Sequence, residues 1–348
     1  MGGVKQEDPP GIRLEPVTEW ICQRVEGVTP PLEFIRIKGG HSNLTYETHD
    51  ATGRKLVLRR PPLGELLPTA HDMSREWRFI SAFHPTPVPV PPPLGYCDDT
   101  DVIGASFYVM AFVEGHVMHD ASVAEDHYDE AQRRATGESF IDVLADMHAE
   151  DPDEIGVGDI ARKEGYIARQ LKRWYSQWNA SKTRELPLVD ELHDALSARI
   201  PDQGPARVVH GDYRLGNCIT AFDGGIVAVL DWEIATLGDP LADVGYVLHS
   251  WPEAGEAGLA HRMSPTTAPG FPRRAELLER YADRSGRDVS TIDFYVAFSH
   301  WKSACIVEGV YARYLHGALE TADVNVDAFK LSVEMSAENA ERALAKVR

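Results

Sequence analysis

Hydrophobic and polar residues alternate along the first third of the chain. Phe34-Ile35-Arg36-Ile37-Lys38, Leu44-Thr45-Tyr46-Glu47-Thr48 and Lys55-Leu56-Val57-Leu58-Arg59 each read as half-buried strands, with turns between them at 39–43 and 50–53. A short helix is expected around Val17–Val25, and another over 70–83, where Trp77, Ile80 and Phe83 recur at helical spacing. Pro85–Pro93 holds six prolines, so it must be extended and cannot be helix or central strand. Ser106–Phe112 reads as strand again, and Glu114-Gly115 marks a turn where the pattern changes. Beyond about 120 the helical period dominates, over 127–149, 160–179, 273–284, 291–316 and 324–346. Only 207–230 interrupts it: a strand at Arg207–Val209, then Cys218–Ala221 and Ile226–Leu230 joined through Asp223-Gly224-Gly225. Strands gathered in one half and helices in the other predict an α+β fold, not alternating βαβ units.

Composition narrows the classes. The 348 residues suffice for one large or two ordinary domains, and 43% apolar with 26% charged residues fits a globular protein. A net charge of −19 argues against a nucleic-acid partner. No apolar run reaches the length of a membrane span, and the first ten residues lack the apolar core of a signal peptide. Cys22, Cys97, Cys218 and Cys305 are widely spaced, which suggests reduced thiols in the cytoplasm and no metal motif.

The candidate chemistry concentrates in His210-Gly211-Asp212-Tyr213-Arg214-Leu215-Gly216-Asn217 and in Asp231. Phosphoryl transfer needs a carboxylate that orients the attacking hydroxyl and oxygen ligands for Mg²⁺; Asp212 suits the first role, Asn217 and Asp231 the second. Pairing Phe222 with Ile226 would set Asn217 opposite Asp231, about 5 Å apart at Cβ. A metallohydrolase built on His210, Asp212 and His249 is the weaker alternative, because no further ligand at suitable spacing completes the set. Gly39-Gly40-His41-Ser42-Asn43 lies between two strands, where backbone N–H groups could approach phosphate oxygens. It is neither a Walker motif nor GxGxxG. Strand alternation puts Lys55, Val57 and Arg59 on one face and Leu56, Leu58 and Arg60 on the other.

His210-Gly211-Asp212-x4-Asn217 followed by Leu230-Asp231-Trp232-Glu233 resembles the aminoglycoside phosphotransferase and choline kinase superfamily, relatives of the protein kinases. The resemblance implies a bilobal protein-kinase-like fold, with a small antiparallel-sheet N-lobe at 1–113 and a larger, mainly helical C-lobe at 114–348. It implies Asp212 as the catalytic residue and Asn217 and Asp231 as metal ligands. ATP would bind through Gly39, Gly40, His41, Ser42, Asn43, Arg59, Glu76, Met110 and Phe112, with Mg²⁺. Arg59 would replace the strand lysine of kinases and Glu76 its helical partner; relatives also carry Arg at this place. His210 and Asp243 would brace the catalytic loop, and Asp239 would cap the helix beginning at Pro240.

The sequence is most similar to a subgroup whose kinase-like domain is fused to certain acyl-CoA dehydrogenases or stands alone in bacteria. The shared patterns are 39–46, Leu58-Arg59-Arg60-Pro61-Pro62, Pro87-Val88-Pro89-Val90-Pro91 and His210–Arg214. That resemblance implies a small-molecule acceptor, favouring the hydroxyl of a hydroxyacyl-CoA. Two charge patterns bear on this. Residues 161–184 hold seven Lys or Arg against Glu164, with Arg162, Tyr166, Arg169 and Arg173 on one expected helical stripe. Residues 121–160 hold twelve acids against two Arg, which would suit a polycationic aminoglycoside. An antibiotic phosphotransferase and a non-catalytic nucleotide-binding protein therefore remain as alternatives, and ATP against GTP stays open.

Overall fold

A computed structural model describes residues 8–37, 43–64, 72–253, 256, 264–317 and 325–347. The glycine turn at 39–42, including Gly39, Gly40, His41 and Ser42, lies outside the described residues. The chain divides into two compact units, one of 1–114 with 227–233, the other of 115–226 with 234–348.

In the first unit, α1 (Leu14–Arg24), α2 (Met73–Phe83) and the short α3 (Thr100–Ile103) accompany a five-stranded antiparallel sheet. Its strands are β1 (Glu33–Arg36), β2 (Leu44–His49), β3 (Lys55–Arg60), β4 (Pro93–Cys97) and β5 (Phe107–Ala111), in the order β1-β2-β3-β5-β4. Proline at the start of β4 is tolerated because β4 is an edge strand. The alternation of β3 works as a sorting device. Leu56 and Leu58 enter a core with Val17, Ile21 and Phe107. Arg60, on their face, is buried and donates to the backbone carbonyls of Gly11, Pro61 and Ile103. Arg59, on the other face, meets carboxylates instead.

Helix α2 starts at Asp72, whose carboxylate accepts from the backbone N–H groups of Ser74 and Arg75. It buries Met73, Glu76, Phe79, Ile80 and Phe83. Phe79 and Phe83 stack on Trp232 at 5.9 and 4.9 Å between ring centroids, and Trp232 is fully buried with its indole N–H donated to Val229. Trp232 thus fastens 227–233 into the first unit. Trp232→Ala is expected to cost about 3–5 kcal/mol through the cavity it leaves, read as a lower urea midpoint; an unchanged midpoint would contradict this anchoring.

The second unit is helical around short strands. Its helices are α4 (Ala121–His127), α5 (Glu130–Ala149), α6 (Tyr166–Ser181), α7 (Pro187–Ser197), α8 (Leu241–His249), α9 (Arg274–Ser285), α10 (Ile292–Leu315) and α11 (Val326–Leu344). Strand β6 (Arg207–Val209) pairs antiparallel with β9 (Thr236–Gly238), and β7 spans Cys218–Thr220; β8 (Ile226–Val229) belongs, from Val227 on, to the first unit. The helix expected over 127–149 breaks at Tyr128 and restarts under a capping box of Asp129 and Gln132. Two expectations shift. The turn between β7 and β8 is closed by Ala221 N–H to Gly225 O and Gly224 N–H to Ala221 O, with Gly224 at φ +96°. Ala221, not Phe222, therefore faces its partner across the loop, and the pairing that put Asn217 opposite Asp231 loses its basis. Helix α6 begins at Tyr166, which is buried, so Arg162 lies outside the helix and the expected basic stripe is broken.

Helix α8 comes close to α10 at Gly245, where a Cβ would meet backbone of Tyr295 at 2.6 Å. That closeness fixes α8, whose Asp243 and Tyr246 both reach the loop after β6.

Candidate active site

In the second unit, β6 delivers His210-Gly211-Asp212 with Gly211 at φ +84°, a left-handed turn that glycine takes without strain. Asp243 grips that turn: its carboxylate accepts from His210 N–H at 2.6 Å and Gly211 N–H at 2.8 Å. Burial alone would raise the Asp243 carboxyl, but His148 beside it and these donors hold it below the ordinary range. Buried His210 accepts from the Asp212 backbone N–H at 3.3 Å. Both residues therefore brace the loop, as expected. Asp239 accepts from Leu241 N–H at 3.1 Å and from the Tyr295 hydroxyl; α8 itself begins one residue later than expected, at Leu241.

Asp212 receives three donors. Tyr246 O–H donates to Oδ1, while Oδ2 accepts from Asn217 Nδ2 at 2.8 Å and Arg214 Nε at 3.3 Å. Asn217 also donates to the Asp212 carbonyl at 2.9 Å. Its amide nitrogen is thus committed, leaving the amide oxygen as the atom that could ligate a cation. Tyr246 carried no signal in the sequence motif. It lies three residues beyond Asp243, on the same face of α8. Burial first, and then the Asp212 charge, push its phenol well above the usual range, so it stays a donor.

In the first unit, Arg59 Nε lies 2.9 Å from Glu76 Oε2, and Nη2 lies 2.6 Å from Asp231 Oδ1. Glu76 is fully buried and also accepts from Asn43 Nδ2 at 2.8 Å and Tyr108 O–H at 2.9 Å. Carboxylate oxygens of Glu76, Asp231 and Glu233 all lie within 4.8 Å of one another. Three carboxylates face one guanidinium there, and burial together with Asp231 and Glu233 outweighs Arg59, raising Glu76 to about 7. An all-oxygen donor set with excess negative charge fits a hard cation such as Mg²⁺. Glu233 was visible in Asp231-Trp232-Glu233, but its position two residues on gave no reason to separate it from an ordinary surface acid. Asp231 has φ +65°, unusual for a non-glycine residue. Met110 is buried on β5 opposite Val57, and Lys55 lies over the Phe112 ring at 4.6 Å.

Residues 33–277 match the family described as the phosphotransferase enzyme family. The chain belongs to that family. It is 35% identical to mouse (Mus musculus) acyl-CoA dehydrogenase family member 10 over 298 residues, which covers 84% of this chain and 28% of that protein. It is 36% identical to chicken (Gallus gallus) acyl-CoA dehydrogenase family member 11 over 296 residues, covering 82% and 37%. The chain spans about a third of the length of these curated relatives. A crystal structure from Ralstonia eutropha, named for the aminoglycoside phosphotransferases, superposes with a TM-score of 0.81 at 34% identity, covering 96% and 98% of the two chains. Spectinomycin phosphotransferase, in complex with ADP and spectinomycin, shares the fold at a TM-score of 0.63 and 14% identity, over 95% and 98%. The protein is a member of the phosphotransferase enzyme family on an α+β kinase-like fold.

The basic segment of this phosphotransferase is largely neutralised. Lys163 pairs with Asp153, Lys182 with Glu185, and Arg184 with buried Glu308, while Arg169 donates to the Arg162 carbonyl. Lys172 and Arg173 remain exposed on α6.

Behind Tyr246, the imidazoles of His249 and His300 meet Nδ1 to Nδ1 at 2.8 Å, which requires one to donate and the other to accept. Burial lowers both, His300 to about 4. The unfolded chain therefore binds more protons than the folded one between about pH 4 and 6.5, so stability rises with pH across that window and levels off above it. His300→Gln is expected to remove roughly 2 kcal/mol of that rise. Urea midpoints at pH 5 and 7 test it, and an equal rise in wild type and variant would contradict it. Glu76 contributes with the opposite sign, which is why the difference between the two proteins is the readout.

Proposed function

We propose that this phosphotransferase moves the γ-phosphoryl group of ATP to the hydroxyl of a hydroxyacyl-CoA. The observation that carries the chemistry is the Asp212 carboxylate, held by Tyr246, Asn217 and Arg214 on a loop that Asp243 locks. Such a fixed acceptor of protons suits a hydroxyl that must be oriented for in-line attack. Asp212 orients the acceptor O–H and takes its proton as the bond to phosphorus forms. Arg214, exposed beside it, faces the charge that develops on the transferring group.

Arg59 binds phosphate oxygens, and Glu76 fixes its guanidinium, with Asn43 and Tyr108 holding Glu76 in turn. The sequence of Gly39, Gly40, His41, Ser42 and Asn43 suits contact with the nucleotide phosphates, and Met110 and Phe112 border the base. Asp231 and Glu233 would hold Mg²⁺, which would neutralise phosphate charge, and the uncommitted amide oxygen of Asn217 is proposed as a metal ligand from its sequence motif. The boundary near 113–114 separates the nucleotide-binding part from the acceptor-binding part.

The acceptor class rests on the names of the relatives, in which a segment of this kind accompanies acyl-CoA dehydrogenases. The neutralised basic segment does not add to it. Mass spectrometry of hydroxyacyl-CoAs and aminoglycosides incubated with enzyme and MgATP tests the reading. A phosphoryl mass gain on a hydroxyacyl-CoA is expected. Gain on an aminoglycoside alone would overturn the acceptor class, and no gain on any alcohol would remove the acyl-CoA reading.

A further inference from the structure

Lys302 of α10 stands beside the catalytic loop with no carboxylate of its own. Its ammonium lies 3.4 Å from the Gly211 carbonyl, one residue before Asp212. It lies 5.7 Å from the ring of Tyr246, whose hydroxyl meets Asp212, and 5.6 Å from the ring of Trp174 on α6. Among the described residues, no acidic side chain comes within ion-pair distance of it, although α6, α8 and the loop at 210–212 all pack around it. Asp243 is engaged by the backbone of His210 and Gly211, and Asp212 by Tyr246, Asn217 and Arg214. Burial lowers the Lys302 ammonium, with Asp243 and Asp212 opposing that shift. Two aromatic faces and one carbonyl hold the charge in place without satisfying its three N–H donors. An ammonium held this way, partly exposed and meeting the Gly211 carbonyl, has N–H donors left for a further acceptor oxygen.

We propose that Lys302 binds the acyl carbonyl oxygen of the acceptor and thereby selects which hydroxyl along the acyl chain reaches Asp212. The proposal rests on the hydroxyacyl-CoA reading and deepens it. Reach decides which oxygen is met. The pantetheine arm of CoA separates its phosphates from the acyl group by many bonds, so a substrate extended from a hydroxyl at Asp212 would carry those phosphates away from Lys302. Lys302 meets the carbonyl of the residue just before Asp212, so the oxygen it takes would be one a few atoms from the reacting hydroxyl, as the thioester carbonyl of a 4-hydroxyacyl chain is.

The test compares 4-hydroxybutyryl-CoA with its thioether analogue, in which a methylene replaces the carbonyl. Wild-type enzyme is expected to prefer the thioester in kcat/KM by about 10- to 100-fold, the worth of a hydrogen bond to a charged donor. In Lys302→Met that ratio should collapse toward one, mainly through a higher KM for the thioester, and Lys302→Arg should restore part of it. If the Met variant does not fold, Lys302→Gln reads the same ratio. A ratio that survives in the variants overturns the proposal. So does an equal fall in kcat for both acceptors, which would assign Lys302 to the transferring phosphoryl group. If wild type phosphorylates neither compound, the acyl-CoA reading fails and this proposal with it; phosphorylation of both with an unchanged ratio sinks the Lys302 assignment alone.

Discussion

Asp212→Asn is expected to lower kcat by about 10²- to 10⁴-fold, the usual range for removing a positioned proton acceptor. The substitution keeps the shape of the side chain. Its amide oxygen can accept from Asn217 Nδ2 and Arg214 Nε, as Oδ2 does now. Its NH₂ can donate to the Tyr246 oxygen, which at present donates to Oδ1. The loop remains locked because Asp243 holds the backbone of His210 and Gly211, not the Asp212 side chain. Nucleotide affinity should therefore stay within a few-fold of wild type. Asp212→Ala would lose as much turnover, but it would also strand the Tyr246 hydroxyl, leave Asn217 Nδ2 only the Asp212 carbonyl, and lower stability by about 1–3 kcal/mol. Single-turnover kinetics with ATP, together with titration calorimetry of ADP, separate these effects. An Asn variant with near-normal turnover would remove Asp212 from the chemistry.

The sequence made this half of the site legible because its parts are contiguous. Asp212 and Asn217 are five residues apart, and the loop that carries them joins them through a hydrogen bond. Asp243 could be read as a brace from its place in the motif. Tyr246 and Lys302 could not, since their meaning depends on how α8 and α10 pack, and nothing local announces that Gly245 will admit Tyr295. Most elements followed from period and proline placement. The misreadings came where one residue decides the outcome. Moving the loop between β7 and β8 by one residue changes every cross-strand partner. Starting α6 at Tyr166 removes Arg162 from the stripe and buries one of its supposed members. Charge counting misled for a related reason, because Lys163, Lys182 and Arg184 find acidic partners outside their own segment or beyond the next turn. Arg59 and Arg60, adjacent and chemically identical, were separable only by face, and β3 sends one to carboxylates and the other to carbonyls.

Asp231→Asn should be as damaging as the loss of Asp212, by a different route. Asp231 sits at φ +65°, a conformation that Asn accepts more readily than most residues. The Asn variant therefore isolates charge from backbone. It leaves Glu76 and Glu233 facing Arg59 with one carboxylate fewer, which weakens the donor set for Mg²⁺ and gives Arg59 Nη2 a neutral amide oxygen in place of its charged partner at 2.6 Å. We expect kcat/KM to fall by about 10²- to 10³-fold, the scale for losing one preorganised charge in a transition-state site. The Mg²⁺ concentration for half-maximal rate should rise in parallel. Asp231→Gly should match the Asn variant in activity, since both lack the carboxylate, and it should fold normally. Asp231→Ala should lose the same activity and be about 1–2 kcal/mol less stable than Asp231→Gly, because a Cβ in the left-handed region is strained. Buried Glu76, relieved of one negative neighbour, should then titrate below its present value near 7. Three variants that differ in stability but share one Mg²⁺ dependence would place the carboxylate in metal binding. A wild-type Mg²⁺ dependence in Asp231→Asn would leave the residue a backbone and Arg59 anchor only.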